Sequence, residues 1–141
     1  HLPDTPGQAE EAAARGALRD ANAAAGFPHD TRSLTVLLRD DAGRVVGGLV
    51  GRTGWSWLYV ENLAVPPALR GGGWGQRLLA TAEAEARARS CIGARLDTYT
   101  FQARVFYEKQ GYRVVGEIPD CPPGQTRFTM IKRLDAGGET R

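Results

Sequence analysis

The segment Arg70-Gly71-Gly72-Gly73-Trp74-Gly75 sets four glycines within six residues. It lies where a strand-like run hands over to a helix-like one. Without Cβ atoms the backbone can curl until successive N–H groups converge on one anion. A helix start adds unpaired donors and the positive end of its dipole. The chemistry implied is the binding of a phosphate. A flexible surface loop would use the same glycines, but two flanking regular elements and Arg70 favour the phosphate. Two familiar phosphate loops are excluded by the residues themselves. A P-loop ends in Gly-Lys-Ser/Thr, whereas Gly75 is followed by Gln76 and Arg77. A dinucleotide fingerprint opening at Gly73 needs glycine or alanine where Leu78 stands, and one opening at Gly71 needs it at Gln76. Elsewhere, His29 has no partner in its loop. Cys91 and Cys121 have no His or Cys at metal-ligand spacing, so free thiols and no metal are expected.

The elements around this loop follow from periodicity and punctuation. Thr5 as N-cap, Pro6 at the first helical position and Gln8 as capping-box partner predict a helix over Pro6–Ala25, ended by Gly26 and Pro28. Leu34–Arg39 and Arg44–Arg52 read as a hairpin about the turn Asp40-Asp41-Ala42-Gly43, and the aromatic and β-branched run Trp55–Val65 as a third strand stopped by Pro66 and Pro67. Gly73–Ser90 carries Trp74, Leu78, Leu79, Ala82 and Ala86 at helical spacing, with Glu83 and Glu85 each four residues before Arg87 and Arg89. A strand at Ala94–Tyr99 then implies a right-handed parallel crossover. A helix over Phe101–Gln110, with Thr100 as N-cap and Gly111 as its stop, precedes two strands at Tyr112–Ile118 and Thr126–Lys132, separated by the turn Asp120–Gly124. The polar tail from Asp135 is expected to fray.

In this context the loop resembles the acyl-CoA pyrophosphate loop of the GNAT superfamily. That pattern runs Arg or Gln, two residues, Gly, one residue, Gly or Ala, and Arg70, Gly73 and Gly75 match it. Asn62-Leu63-Ala64-Val65-Pro66 is similar to the strand and exit before the loop. Ala103-Arg104-Val105-Phe106-Tyr107-Glu108-Lys109-Gln110-Gly111-Tyr112 is similar to the family's late helix. The resemblance covers about Leu34 to Leu134 and implies an α/β (α+β) chain. Its central twisted sheet would be mixed but mostly antiparallel, with a parallel splayed pair at the acetyl-CoA site and helices on both faces. Two departures stand out: little chain before Thr5 is available for the family's opening strand, and Thr100 stands where the late helix often has asparagine.

By resemblance, the activity is transfer of an acetyl group from acetyl-CoA to a primary amine, direct and without a covalent enzyme intermediate. Leu63, Ala64 and Val65 would pair with the pantetheine arm, and backbone N–H groups across Arg70, Gly71, Gly72, Gly73, Trp74, Gly75 and Gln76 would hold the pyrophosphate. Thr100, Ala103 and Phe106 would border the same cosubstrate. Tyr107 is picked out as general acid, since a phenol near pKa 10 is protonated at neutral pH; core packing is its alternative. The acceptor ammonium must lose a proton, and Glu61, beside the thioester strand, is the candidate base, with a structural ion pair as an equal alternative and Asp97 and Asp120 as rivals. Trp55, Trp57 and Tyr59, read on one strand face, would pack a core or line an acceptor pocket. A small-molecule acceptor is favoured. A protein or peptide acetyltransferase and a non-catalytic acyl-CoA sensor are the competing readings.

The composition fits this. At 141 residues, 42% apolar and 24% charged, the chain has the balance of one globular domain over 1–141 that needs no disulfide to hold a core. Its net charge of +2 comes from basic residues scattered among acids, which marks a solvated surface and not a nucleic-acid footprint. No apolar run approaches the roughly 20 residues that span a bilayer, and the opening lacks the pattern of a signal peptide. A cytoplasmic protein without membrane or nucleic-acid partners is expected, with a homodimer left open.

Overall fold

The computed structural model describes residues 7–135 and holds among them six strands and three α-helices, in the order α, three strands, α, one strand, α, two strands. The chain divides into two units, His1–Asp30 and Thr31–Arg141. The first holds helix α1, Gln8–Ala24. It starts two residues later than expected. Gly7 is its N-cap, and the Glu10 carboxylate accepts the Gly7 N–H at 2.6 Å, so Glu10 does the capping expected of Gln8. Thr5 and Pro6, the expected cap, lie outside the described residues. The end is as read. Gly26, at φ +94°, and Phe27 return their N–H groups to Ala23 and Asn22, closing a Schellman motif.

The second unit is one sheet in the order β1-β2-β3-β4-β6-β5. Its strands are β1 Arg32–Arg39, β2 Val45–Gly54, β3 Trp57–Ala64, β4 Gly93–Tyr99, β5 Arg113–Pro119 and β6 Thr126–Arg133. All neighbours run antiparallel except β3 and β4, which are parallel because helix α2, Trp74–Ala88, carries the chain across between them. The β1–β2 turn is held by Asp40, whose Oδ1 accepts the N–H groups of Ala42 and Arg44 at 2.9 Å.

Between β2 and β3 the expectation is corrected. Trp55 and Ser56 stand at φ +48° and +67°, a two-residue turn that closes on the pair Gly54 and Trp57. The third strand therefore begins at Trp57, and Trp55 is not on one strand face with Trp57 and Tyr59. Aromatic and β-branched content hid this turn because neither residue is a usual carrier of left-handed backbone.

Leu78, Leu79, Ala82 and Ala86 of α2 are buried against the strands in one core with Leu49, Leu58, Ala94, Leu96 and Met130. The expected pair of Glu85 with Arg89 forms at 2.9 Å. Glu83 instead turns inward, buried to 4% exposure, and Arg87 bonds the Leu134 carbonyl. The last helix, α3, is shorter than expected, Arg104–Lys109 with Ala103 at its N-cap. Thr100 does not cap it. Its hydroxyl accepts the Thr126 N–H at 3.1 Å and bonds the Gln125 side chain, which ties it to the start of β6.

Candidate active site

The feature that opens the site is a bulge. Across β2 and β3, Val50 pairs with Asn62 and Gly51 with Val60, leaving Glu61 as an extra residue on β3. On the other side the parallel ladder runs only from Trp57 with Gly93 to Val60 with Leu96. From Glu61 and Asp97 onward the two strands bond no further to each other. Their splay leaves backbone donors and acceptors of β3 open to a ligand, as on the edge of a sheet. A cleft of about 840 Å³ lies here.

The glycine loop closes one end of that cleft. Arg70 turns its Nε back to the Val65 carbonyl at 3.1 Å, fixing the strand exit. Gly71 and Gly73 sit at φ +85° and +80°, and a Cβ built on either would meet nothing within 4 Å. The left-handed backbone, and not crowding by the protein, is what requires glycine at both. Gly73 is the N-cap of α2, where no side chain caps the helix and no acidic residue stands in the first turn. The unpaired N–H groups and positive dipole end therefore keep their capacity for an external anion. Gly75 packs under Phe106, whose ring lies 3.3 Å from where a Cβ would be. These features fit a pyrophosphate, and the open β3 edge fits an amide-bearing arm.

Of the residues read from the sequence, Glu61, Leu63, Ala64, Val65, Arg70, Gly71, Gly73, Trp74, Gly75, Gln76, Ala103, Phe106 and Tyr107 all line the cleft. Gly72 and Thr100 are not among its lining residues. Asn62, Thr98, Phe101 and Gln102 are lining residues that sequence reasoning missed. Asn62 opens the strand-exit motif but drew no role from it; no motif marks Thr98, Phe101 or Gln102, which reach the cleft through the splay and the short α3.

Tyr107 is 9% exposed, with its ring edge-on to Phe106 and Tyr112 at centroid distances of 5.1 and 5.9 Å. Its hydroxyl has no hydrogen-bond partner among the described residues and burial pushes its pKa up, so the proton stays on the oxygen and available for donation. Glu61 is ion-paired through Oε2 with Nη1 of Arg52, the structural alternative the sequence left open. Asp97 is fully engaged. It accepts from Arg127 at 2.8 Å, Thr129 at 2.9 Å and Tyr59 at 3.2 Å. Burial alone would raise its carboxyl, but these bonds and the Arg127 charge hold it below its ordinary value. Such a carboxylate is a poor base. Asp120 is a turn residue that accepts the Gly124 N–H at 3.2 Å, and it does not line the cleft. Tyr59, between the guanidinium groups of Arg52 and Arg95 at 4.7 and 4.2 Å, is committed to this charged network. Trp57 packs on Gly93.

Residues 31–114 match the family model described as Acetyltransferase (GNAT) domain. The chain is 47% identical over 95 residues to a blasticidin-S acetyltransferase of Streptomyces morookaense, covering 67% of this chain and 70% of that one. It is 41% identical over 133 residues to an acetyltransferase of Agrobacterium fabrum, covering 94% and 97%. A crystal structure of an acetyltransferase from Bacillus cereus superposes with a TM-score of 0.85 at 25% identity, covering 94% of this chain and 97% of that one. The mixed sheet with its single parallel pair, the glycine loop at the start of α2 and these matches lead to one conclusion: the chain belongs to the GNAT acetyltransferases, enzymes that transfer an acetyl group.

Proposed function

We propose that this enzyme transfers the acetyl group of acetyl-CoA to a primary amine of a small molecule, directly and within a ternary complex. The observation that carries the reading is the cleft itself. It joins an uncapped helix N-terminus at the glycine loop to the splay between β3 and β4, with the Tyr107 phenol on its wall. Backbone N–H groups from Gly71 through Gln76 hold the pyrophosphate, and Leu63, Ala64 and Val65 pair with the pantetheine arm. The thioester then lies beside the bulge. Tyr107 delivers its proton to the departing thiolate. Glu61, held by Arg52 through Oε2, takes the proton of the acceptor ammonium, directly or by way of a water. Asp97 stays a carboxylate and acts through structure alone.

The small-molecule acceptor is supported by the relative named for acetylating blasticidin S. The test is thiol release from acetyl-CoA across a panel of amines that includes blasticidin S, other small amines, lysine-bearing peptides and free peptide N-termini. Turnover with one or more small amines and not with peptides is expected. Turnover confined to the peptides would overturn the acceptor class, and binding of acetyl-CoA with no acceptor of either kind would point to a sensor.

A further inference from the structure

Beneath the cleft lies a buried polar chain that the transfer reaction does not use. The Glu83 carboxylate, in the middle of α2, accepts from the Tyr112 hydroxyl at 2.7 Å through Oε2 and from the Lys132 ammonium of β6 at 2.8 Å through Oε1. Tyr112 is 3% exposed and Glu83 4%. Lys132 keeps 25% of its side chain exposed while the Glu83 carboxylate is buried, and a well-packed apolar replacement of such a pair is often no worse for stability. Their cost calls for a reason, and the position of Tyr112 supplies one.

Tyr112 holds Tyr107 at two points. Its backbone N–H bonds the Tyr107 carbonyl at 3.0 Å, just after Gly111 turns the chain at φ +97°. Its ring meets the Tyr107 ring edge-on at 5.9 Å. Burial first, and the Glu83 charge second, push the Tyr112 phenol far up, so it remains a donor to Glu83 at every working pH. Lys132 also spans the Tyr112 ring at 5.7 Å. The linkage therefore runs from β6 through α2 to α3. Its middle member is on the same helix whose first turn forms the glycine loop.

We propose that Glu83 and Tyr112 are positioning residues that hold the Tyr107 phenol in register with the α2 N-terminus. The helix that grips the pyrophosphate would thereby also set where the proton donor stands relative to the thioester. This inference rests on the reading of Tyr107 as general acid. It adds that the acid's placement is set by a hydrogen bond two side chains away. Catalytic groups need their supporting side chains locked, and ångström-scale misplacement costs up to about a hundredfold in rate.

The experiment is a double-mutant cycle in the full chain, read as thiol release from acetyl-CoA at saturating acceptor, with acetyl-CoA affinity titrated separately. Tyr112→Phe keeps the ring and the backbone bond but frees Tyr107 from Glu83. It should lower kcat roughly tenfold while leaving the acetyl-CoA Kd within about twofold. In a Tyr107→Phe background the same change should lower kcat no further, because the group being positioned is gone. Glu83→Gln keeps the size and leaves one acceptor oxygen for the Tyr112 hydroxyl, so as a single change it should keep most of the wild-type kcat, and it supplies the readout where Tyr112→Phe proves too unstable. Equal losses from Tyr112→Phe in both backgrounds would overturn the proposal. So would an undiminished kcat with only a lowered thermal midpoint. Wild-type turnover by Tyr107→Phe itself would overturn the acid assignment, and the brace with it. A loss there with none in Tyr112→Phe would overturn the brace alone.

Discussion

Gly73→Val tests the phosphate loop at the point where backbone and ligand demands coincide. Gly73 stands at φ +80° as the N-cap of α2, with open space around a would-be Cβ. No neighbouring atom forbids the valine, so the variant should fold. A left-handed backbone costs a non-glycine residue about 1–2 kcal/mol, and a β-branched one sits at the upper end or above. For a chain of 141 residues that lowers the thermal midpoint by about 3–4 °C per kcal/mol. The larger effect falls on the ligand. On the proposed assignment the isopropyl group would occupy the open space that the anion takes, and relief of the strain would turn the first-turn N–H groups away from it. Losing one charge-assisted hydrogen bond costs about 1.5–3 kcal/mol, a roughly ten- to hundredfold rise in Kd. The assay is the thermal midpoint with and without acetyl-CoA, backed by a direct titration. At a concentration of about 100 times Kd, the wild type gains about 2.7 kcal/mol. A hundredfold weaker variant at the same concentration gains about 0.4 kcal/mol, a shift of little more than a degree. ATP, which lacks the pantetheine arm, should stabilise the wild type far less than acetyl-CoA. A folded Gly73→Val whose acetyl-CoA affinity stays within twofold of wild type would refute the loop assignment, as would equal stabilisation by ATP.

Three further expectations concern protons. Tyr107→Phe keeps the ring between Phe106 and Tyr112 but removes the proton, so kcat should fall roughly ten- to ten-thousandfold with acetyl-CoA affinity nearly unchanged; steady-state turnover plus a binding titration checks it. Because burial raises the Tyr107 pKa, loss of its proton should not limit the wild-type rate until above about pH 10. Asp97 gives a stability signal of opposite sign. Its folded pKa is depressed, so its contribution is complete above the ordinary carboxylate range near pH 4 and is lost as pH falls through the folded value. Unfolding midpoints of Asp97→Asn should therefore change less between about pH 6 and pH 3 than those of wild type, and parallel curves would refute the assignment.

Some of this was written locally in the chain. The glycine loop, the α2 periodicity and the hairpin at Asp40 depend on residues within a few positions of one another. Backbone preference and short-range hydrogen bonds therefore suffice to define them, and they stand where the sequence puts them. The match of Arg70, Gly73 and Gly75 could be read for the same reason. Other features needed partners distant in sequence. The bulge at Glu61 exists only in the register of β2 against β3, and the splay only in where the β3–β4 ladder stops. A lone chain carries neither register. The turn at Trp55 and Ser56 was hidden because Trp55 favours strands and heads an aromatic run, and the hairpin between two long strands overrode that preference. Thr100 had the type of a helix cap but was taken by β6, an element that comes later in sequence. Glu83 shows the difference most sharply. Four residues before Arg87 it had the spacing of a surface ion pair, yet its face of α2 is the one the sheet covers. Once buried, a carboxylate must find donors, and only the folded chain brought Tyr112 and Lys132 within reach.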